Sequence, residues 1–282
     1  MLDRDEYIEQ AYLFRSLLER MDENGSVQDL MQSIREELLS TTNLPKAIDF
    51  LAAELKLKGA LGEGMRQLSH YFTPFQAFVV GEAEREGGKF DFRTALEVLR
   101  REAAFRGDGS SPAASFVYQF ETLARNRLGY DRGLAAMSGD PIYDHAWAEW
   151  ILSIRHQIGI VDFADLIYLR SDHFQKQRRS QGIEANDGDK PVLFGEKEGR
   201  IALAHRRKDP LLLFAALQRH LNYPTVPRPP RIDEQKQILP LLVRRVERLE
   251  ARLKLVEEEQ RGGIDLARFM GPNGGASGLA DE

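Results

Sequence analysis

Apolar residues along most of this chain recur at helical spacing. Val27, Leu30, Met31, Ile34 and Leu38 fall at i, i+3, i+4, i+7 and i+11, a single helical stripe. Ser26 precedes the stripe with Asp29 three residues later, a near capping box that starts a helix. A first helix near 3–21 places Ile8, Ala11, Phe14, Leu17, Leu18 and Met21 on one broad arc. A third follows Asn43, carries Ile48, Leu51, Ala52 and Leu55, and stops at Gly59.

Four later helices are expected to open with one chemistry. Thr73-Pro74, Ser111-Pro112, Asp140-Pro141 and Asp209-Pro210 each set an oxygen-bearing cap before a proline. The cap accepts from an orphan N–H, and proline at the first helical position lacks an N–H that had no partner there. Thr73 also has Gln76 three residues on, completing a capping box. Gly87-Gly88, Gly107, Gly129 and Gly159 follow periodic runs and read as stops.

Only one segment reads as sheet. Val192-Leu193-Phe194 and Ile201-Ala202-Leu203 flank a glycine-bearing polar stretch, predicting a β-hairpin at about 192–204 that rests against helices. Residues 180–190 are polar and aperiodic and read as an exposed loop. The expected fold is mainly α: an irregular helical bundle over 1–221 with one small β-hairpin, followed by a C-terminal coiled-coil helix. The break at Arg106-Gly107-Asp108-Gly109-Ser110-Ser111 marks a candidate subdivision near 107–111. No fixed repeat period supports a solenoid.

Beyond residue 221 the composition changes. Residues 223–231 hold four of the chain's twelve prolines, so 222–232 reads as an extended, stiff spacer, or as a ligand for a proline-reading domain. Residues 233–261 read as a coiled-coil helix, with Pro240 delaying regular winding to about Leu241. Leu239, Val246 and Leu253 take position a, and Leu242, Leu249 and Val256 take d. Arg245 and Arg252 then occupy g, and Glu250 and Glu257 occupy e, so a parallel assembly pairs opposite charges twice. The spacing also resembles the Arg-apolar-x-x-apolar-Glu pattern of short parallel trimers, leaving trimer, dimer and fold-back open. Residues 262–282 are expected to be largely disordered.

Composition narrows the chemistry. The 282 residues are 42% hydrophobic and 29% charged, enough to bury a core, with no apolar run of spanning length and no basic leader; a cytoplasmic protein without membrane contact is expected. Zero cysteines exclude disulfides, thiolate metal sites and cysteine nucleophiles. The net charge of −5 divides unevenly. Residues 168–231 carry 13 Lys/Arg against 7 Asp/Glu, a net of +6, leaving −11 elsewhere. Arg170, Lys176, Arg178, Arg179, Arg206, Arg207 and Lys208 form the candidate anion-binding set, because clustered cations attract phosphate backbones. Cations at a helix C-terminus also complement its dipole without any ligand.

Catalytic motifs are not found. His145, Glu149 and His156 share a helix face, but Trp147, Trp150, Ile151, Ile154 and Ile158 mark the opposite face as buried, so a solvated polar face is expected and no metal site. The His70-Tyr71-Phe72-Thr73-Pro74-Phe75 cluster is expected to be core at a helix corner. The glycines at 59, 62 and 64 do not follow a strand, so no phosphate loop is predicted, and no cofactor is expected. The function expected is that of a non-enzymatic scaffold: a helical domain displayed as a parallel homo-oligomer on its C-terminal coiled coil, contacting an unidentified protein partner. The alternatives are a nucleic-acid-associated or regulatory protein using residues 168–231, and an enzyme with a pocket near His70 or His145.

Overall fold

The structure is a computed structural model that describes residues 2–229, apart from 22–25, 86, 89 and 183–189. Met1–Pro229 is one unit by its internal contacts, and Pro230–Glu282, which carries the heptads, lies outside the described residues. Thirteen helices are found among the described residues. They are α1 (Arg4–Arg20), α2 (Val27–Glu37), α3 (Leu44–Lys58), α4 (Leu61–Gln67), α5 (Pro74–Ala83), α6 (Phe92–Gly107) and α7 (Pro112–Asn126). Then follow α8 (Tyr130–Ser138), α9 (His145–Ile154), α10 (Phe163–Tyr168), α11 (Asp172–Ser180), α12 (Glu196–Ala204) and α13 (Pro210–Leu221).

Local capping chemistry accounts for most of the starts. Ser26 accepts from the Asp29 N–H, Ser111 from Ala114 and Asp209 from Leu211, while Thr73 and Gln76 exchange both bonds of a capping box. Asp140-Pro141 departs from this rule. Pro141 lies in a turn, and α9 starts later, on the Asp144 carboxylate that accepts from Trp147 N. Asp140 is withdrawn into the interior as the partner of Arg106. Gly129 is likewise no stop: α7 ends at Arg127 in the left-handed region (φ 55°), and Gly129 caps the start of α8.

The predicted hairpin is not formed. Val192–Phe194 contributes a single β-bridge, between Phe194 and Ser171, and Ile201-Ala202-Leu203 lies inside α12. Two reasons are visible. Glu196 and Glu198 sit in the first turn of α12, where carboxylates complement the helix dipole. Gly199 is also a packing glycine: a Cβ there would fall 2.6 Å from Ser171 Cβ and 2.7 Å from His173 Cβ, so α12 can approach α11 only without a side chain.

The core is continuous through these helices. α1 runs antiparallel to α6, with Gly107 beside Tyr7 and Arg93 donating to Leu18 O. The buried side of α1 is more polar than the arc predicted for it. Ile8 is exposed, whereas Glu6 accepts from Asn43 N at 2.7 Å and from the Tyr71 hydroxyl at 2.6 Å, and Gln10 accepts from Gln76 at 3.1 Å. Short α4 has no capping side chain next to it in sequence; the Glu84 carboxylate caps it by accepting from Leu61 N and Gly62 N.

A second buried network joins α6, α7 and the turn before α9. Arg106 donates to Glu102 Oε1 at 2.9 Å and to Asp140 Oδ1 at 3.1 Å, and Gln119 donates to both carboxylates. The Tyr143 hydroxyl completes it by donating to Gln119 at 2.7 Å. Alongside lies an aromatic cluster in which Phe194 packs on Trp147 (5.1 Å) and Trp150 (5.3 Å).

The first part of the proline-rich segment belongs to this body. Residues 223–229 are non-helical and strap α6, α7 and α13 together. Tyr223 and Val226 are buried, Arg101 donates to Thr225 O at 2.6 Å, and Asn126 donates to Pro227 O at 3.2 Å.

Candidate partner-docking site

One apolar opening gathers residues from α7, α8, α10, α13 and the loop after α9. It is a cavity of about 350 Å³ lined by Phe120, Tyr130, Ile160, Phe163, Pro210 and Phe214, together with Leu166 and the rest of loop 158–162. Its floor is a rigid aromatic stack: Phe120 and Phe163 are 4.1 Å apart and nearly parallel, Tyr130 lies 5.7 Å from Phe120, and Phe214 lies 5.5 Å from Phe163. Burial pushes the Tyr130 hydroxyl above its ordinary range, so it stays neutral at physiological pH.

Loop geometry sets the rim. Gln157 O accepts from both Ile160 N and Val161 N, and Gly159 turns the chain at φ +82°. That turn leaves Ile160 83% exposed beside the opening, and Leu211 and Leu212 of α13 are half exposed next to the lining residue Pro210.

The carboxylates near this rim are already engaged. Asp162 accepts from Ala164 N, capping α10, and from Arg207 N at 2.6 Å. Asp209 caps α13. Helix N-termini hold both negative charges in place. By contrast, Arg207 and Lys208 are exposed, and no carboxylate lies within ion-pair distance of either among the described residues.

The predicted anion-binding residues do not form one cluster of free cations. Lys176 is held between Asp172 (2.8 Å) and Glu196 (2.6 Å), whose hydrogen bonds raise its pKa. Arg206 pairs with Asp165 and lies over the Tyr168 ring at 5.5 Å. Arg170 donates weakly to Pro191 O and its pKa is lowered by burial; Arg178 lies 6.0 Å from the Phe174 ring; Arg179 is exposed. Asp172 and Glu196 are already among the seven acids subtracted in the +6 of 168–231, so of these pairs only Arg206 with Asp165 offsets that net charge, and Arg207 and Lys208 at the apolar rim have no ion-pair partner among the described residues.

The other candidates are also placed. His145 and Glu149 are both exposed with 3.5 Å between them, His156 lies past the end of α9, and no group of three metal-ligating residues occurs among the described residues. His70 is exposed, while Tyr71, Phe72 and Phe75 are buried as core. The oligomerisation residues Leu242, Arg245, Val246, Leu249, Glu250, Arg252, Leu253, Val256 and Glu257 lie outside the described residues.

The pocket itself was missed because its aromatic residues come from four helices distant in sequence. A usable local signal was Gln157-Ile158-Gly159-Ile160-Val161, where three β-branched residues surround a turn glycine and one must face solvent. No described helix is long and apolar enough to cross a membrane. No family description, curated protein or solved structure matches the chain.

Proposed function

We propose that this chain is a non-enzymatic, cytoplasmic interaction protein: its helical body docks a protein partner through the pocket, and the 239–257 heptads gather the bodies into a parallel homo-oligomer. The observation that carries the docking half is the open aromatic cavity of about 350 Å³ with Ile160 exposed at its rim. A preformed apolar recess with few polar groups suits the anchor side chain of a partner better than bond-making chemistry. The oligomer half rests on the all-aliphatic a and d positions and the charge-paired g and e positions. Together they give multivalency, in which weak contacts made two or three at a time gain effective concentration.

Light scattering tests the assembly. The full chain is expected to run as a dimer or trimer and a chain ending at Arg231 as a monomer; two monomers would overturn it. The reading that assigns residues 168–231 to nucleic acid draws less support, because Lys176 and Arg206 are already held by carboxylates. It requires binding that weakens steeply with salt.

A further inference from the structure

We infer that the pocket's partner is an acidic peptide segment: one bulky apolar side chain enters the cavity while flanking carboxylates meet Arg207 and Lys208. The inference rests on the docking function proposed above and adds the chemistry of the occupant. Three observations support it. Apart from Asp162 and Gly159 the lining side chains are aromatic or aliphatic, so an apolar group suits the part of the partner that enters. At about 350 Å³ the cavity holds one or two large side chains rather than a whole helix face. The rim's cations are the groups left open to a ligand: Asp162 and Asp209 keep their charge but spend carboxylate oxygens on backbone N–H groups at helix caps, whereas Arg207 and Lys208 have no carboxylate partner among the described residues.

Position ties the two halves together. Arg207 is joined to the pocket wall through its own N–H on Asp162, and Pro210, three residues further on, is part of the lining. Arg207 also holds a left-handed backbone (φ 58°), which fixes the turn that presents the pair. An apolar anchor site beside two unpaired cations favours acidic flanks over basic or neutral ones. Like charge at the rim is unfavourable, and a neutral segment gains nothing from the two cations.

The test is selection of a random peptide library displayed on phage against the full chain, followed by fluorescence anisotropy with the selected peptides. Enriched peptides are expected to carry a Trp, Phe or Leu anchor flanked by Asp or Glu. Ile160→Ser is expected to weaken them about 5- to 20-fold, since it removes apolar contact at an exposed position that costs the fold little. Arg207→Gln with Lys208→Gln is expected to weaken them about tenfold at low ionic strength and much less at 1 M salt. Enriched peptides without acidic bias, or with affinity indifferent to the Arg207 and Lys208 changes, would overturn the acidic partner while Ile160→Ser sensitivity kept the docking function. Binding of a neutral apolar dye that is sensitive to Ile160→Ser, with no peptide selected, would mark a small-molecule pocket and overturn both. Peptides that bind but ignore Ile160→Ser would place docking elsewhere and overturn the inference.

Discussion

Replacing Arg106 by methionine leaves two carboxylates in the interior with no cation between them. The Arg106 side chain is 2% exposed, that of Glu102 4% and that of Asp140 0%, so water cannot take over the lost role. The guanidinium donates to both acids, and Glu102 Oε2 already lacks a partner. Asp140 would keep Ile142 N and Gln119 Nε2, and Glu102 only Gln119 Nε2. Breaking a buried pair from one side costs about 3–5 kcal/mol, a large share of the 5–15 kcal/mol that holds an ordinary domain. With a urea slope of about 2–3 kcal/mol per molar, the unfolding midpoint should fall by about 1–2.5 M. Far-UV circular dichroism in urea measures it.

A pH series gives that prediction a sign. Burial, reinforced by neighbouring Asp140, raises the Glu102 pKa above its usual 4.5 despite Arg106. A raised folded-state value means that the folded form binds the proton more tightly. The contribution from Glu102 is therefore fully present below about 4.5 and is lost as pH rises through its higher folded value. Removing Arg106 raises that value further, so Arg106→Met should lose stability with rising pH more steeply than the parent, and adding Glu102→Gln should flatten the slope. A midpoint shift below about 0.3 M, with no change in slope, would refute the view that the arginine compensates both acids.

Two further substitutions probe the packing. Gly199→Ala should destabilise by about 1–3 kcal/mol in thermal melts, because the Cβ atoms of Ser171 and His173, one bond from the backbone, cannot rotate away from the new methyl; Gly129→Ala, where nothing lies within 4 Å, is the neutral control. Tyr223→Phe removes the hydroxyl that lies 2.6 Å from Glu121 Oε2 and 3.0 Å from Phe214 O. It should lower stability by about 1–2 kcal/mol, and an unchanged melting temperature would show that the strap holds without the Tyr223 hydroxyl, through its remaining contacts such as Arg101 to Thr225 O and buried Val226.

Local chemistry was read well and long-range chemistry was not. Ser26, Thr73, Ser111 and Asp209 cap helices because a side-chain oxygen and an N–H two or three residues away need nothing else. Asp140-Pro141 presents the same local signal, but Arg106, 34 residues earlier, claims the carboxylate for an ion pair. Three-residue apolar runs such as Ile201-Ala202-Leu203 fit either period, and the tight seat of Gly199 decided for helix. On α1, reading the apolar arc as the whole buried face left out Glu6 and Gln10, whose partners lie more than thirty residues away. The pocket required four helices to be placed before it existed.

The packing of Phe194 against both indoles also determines what light can report. The chain's two tryptophans, Trp147 and Trp150, lie 5.5 Å apart in a single cluster with that ring. Their emission is therefore a local optical probe of the contact among α7, α9 and the segment entering α12, and it carries no signal from α1 to α4. Compared with a whole-backbone measurement in the same denaturant series, a matching transition marks the body as one cooperative block, and an earlier loss of indole signal marks release of Phe194 ahead of the rest.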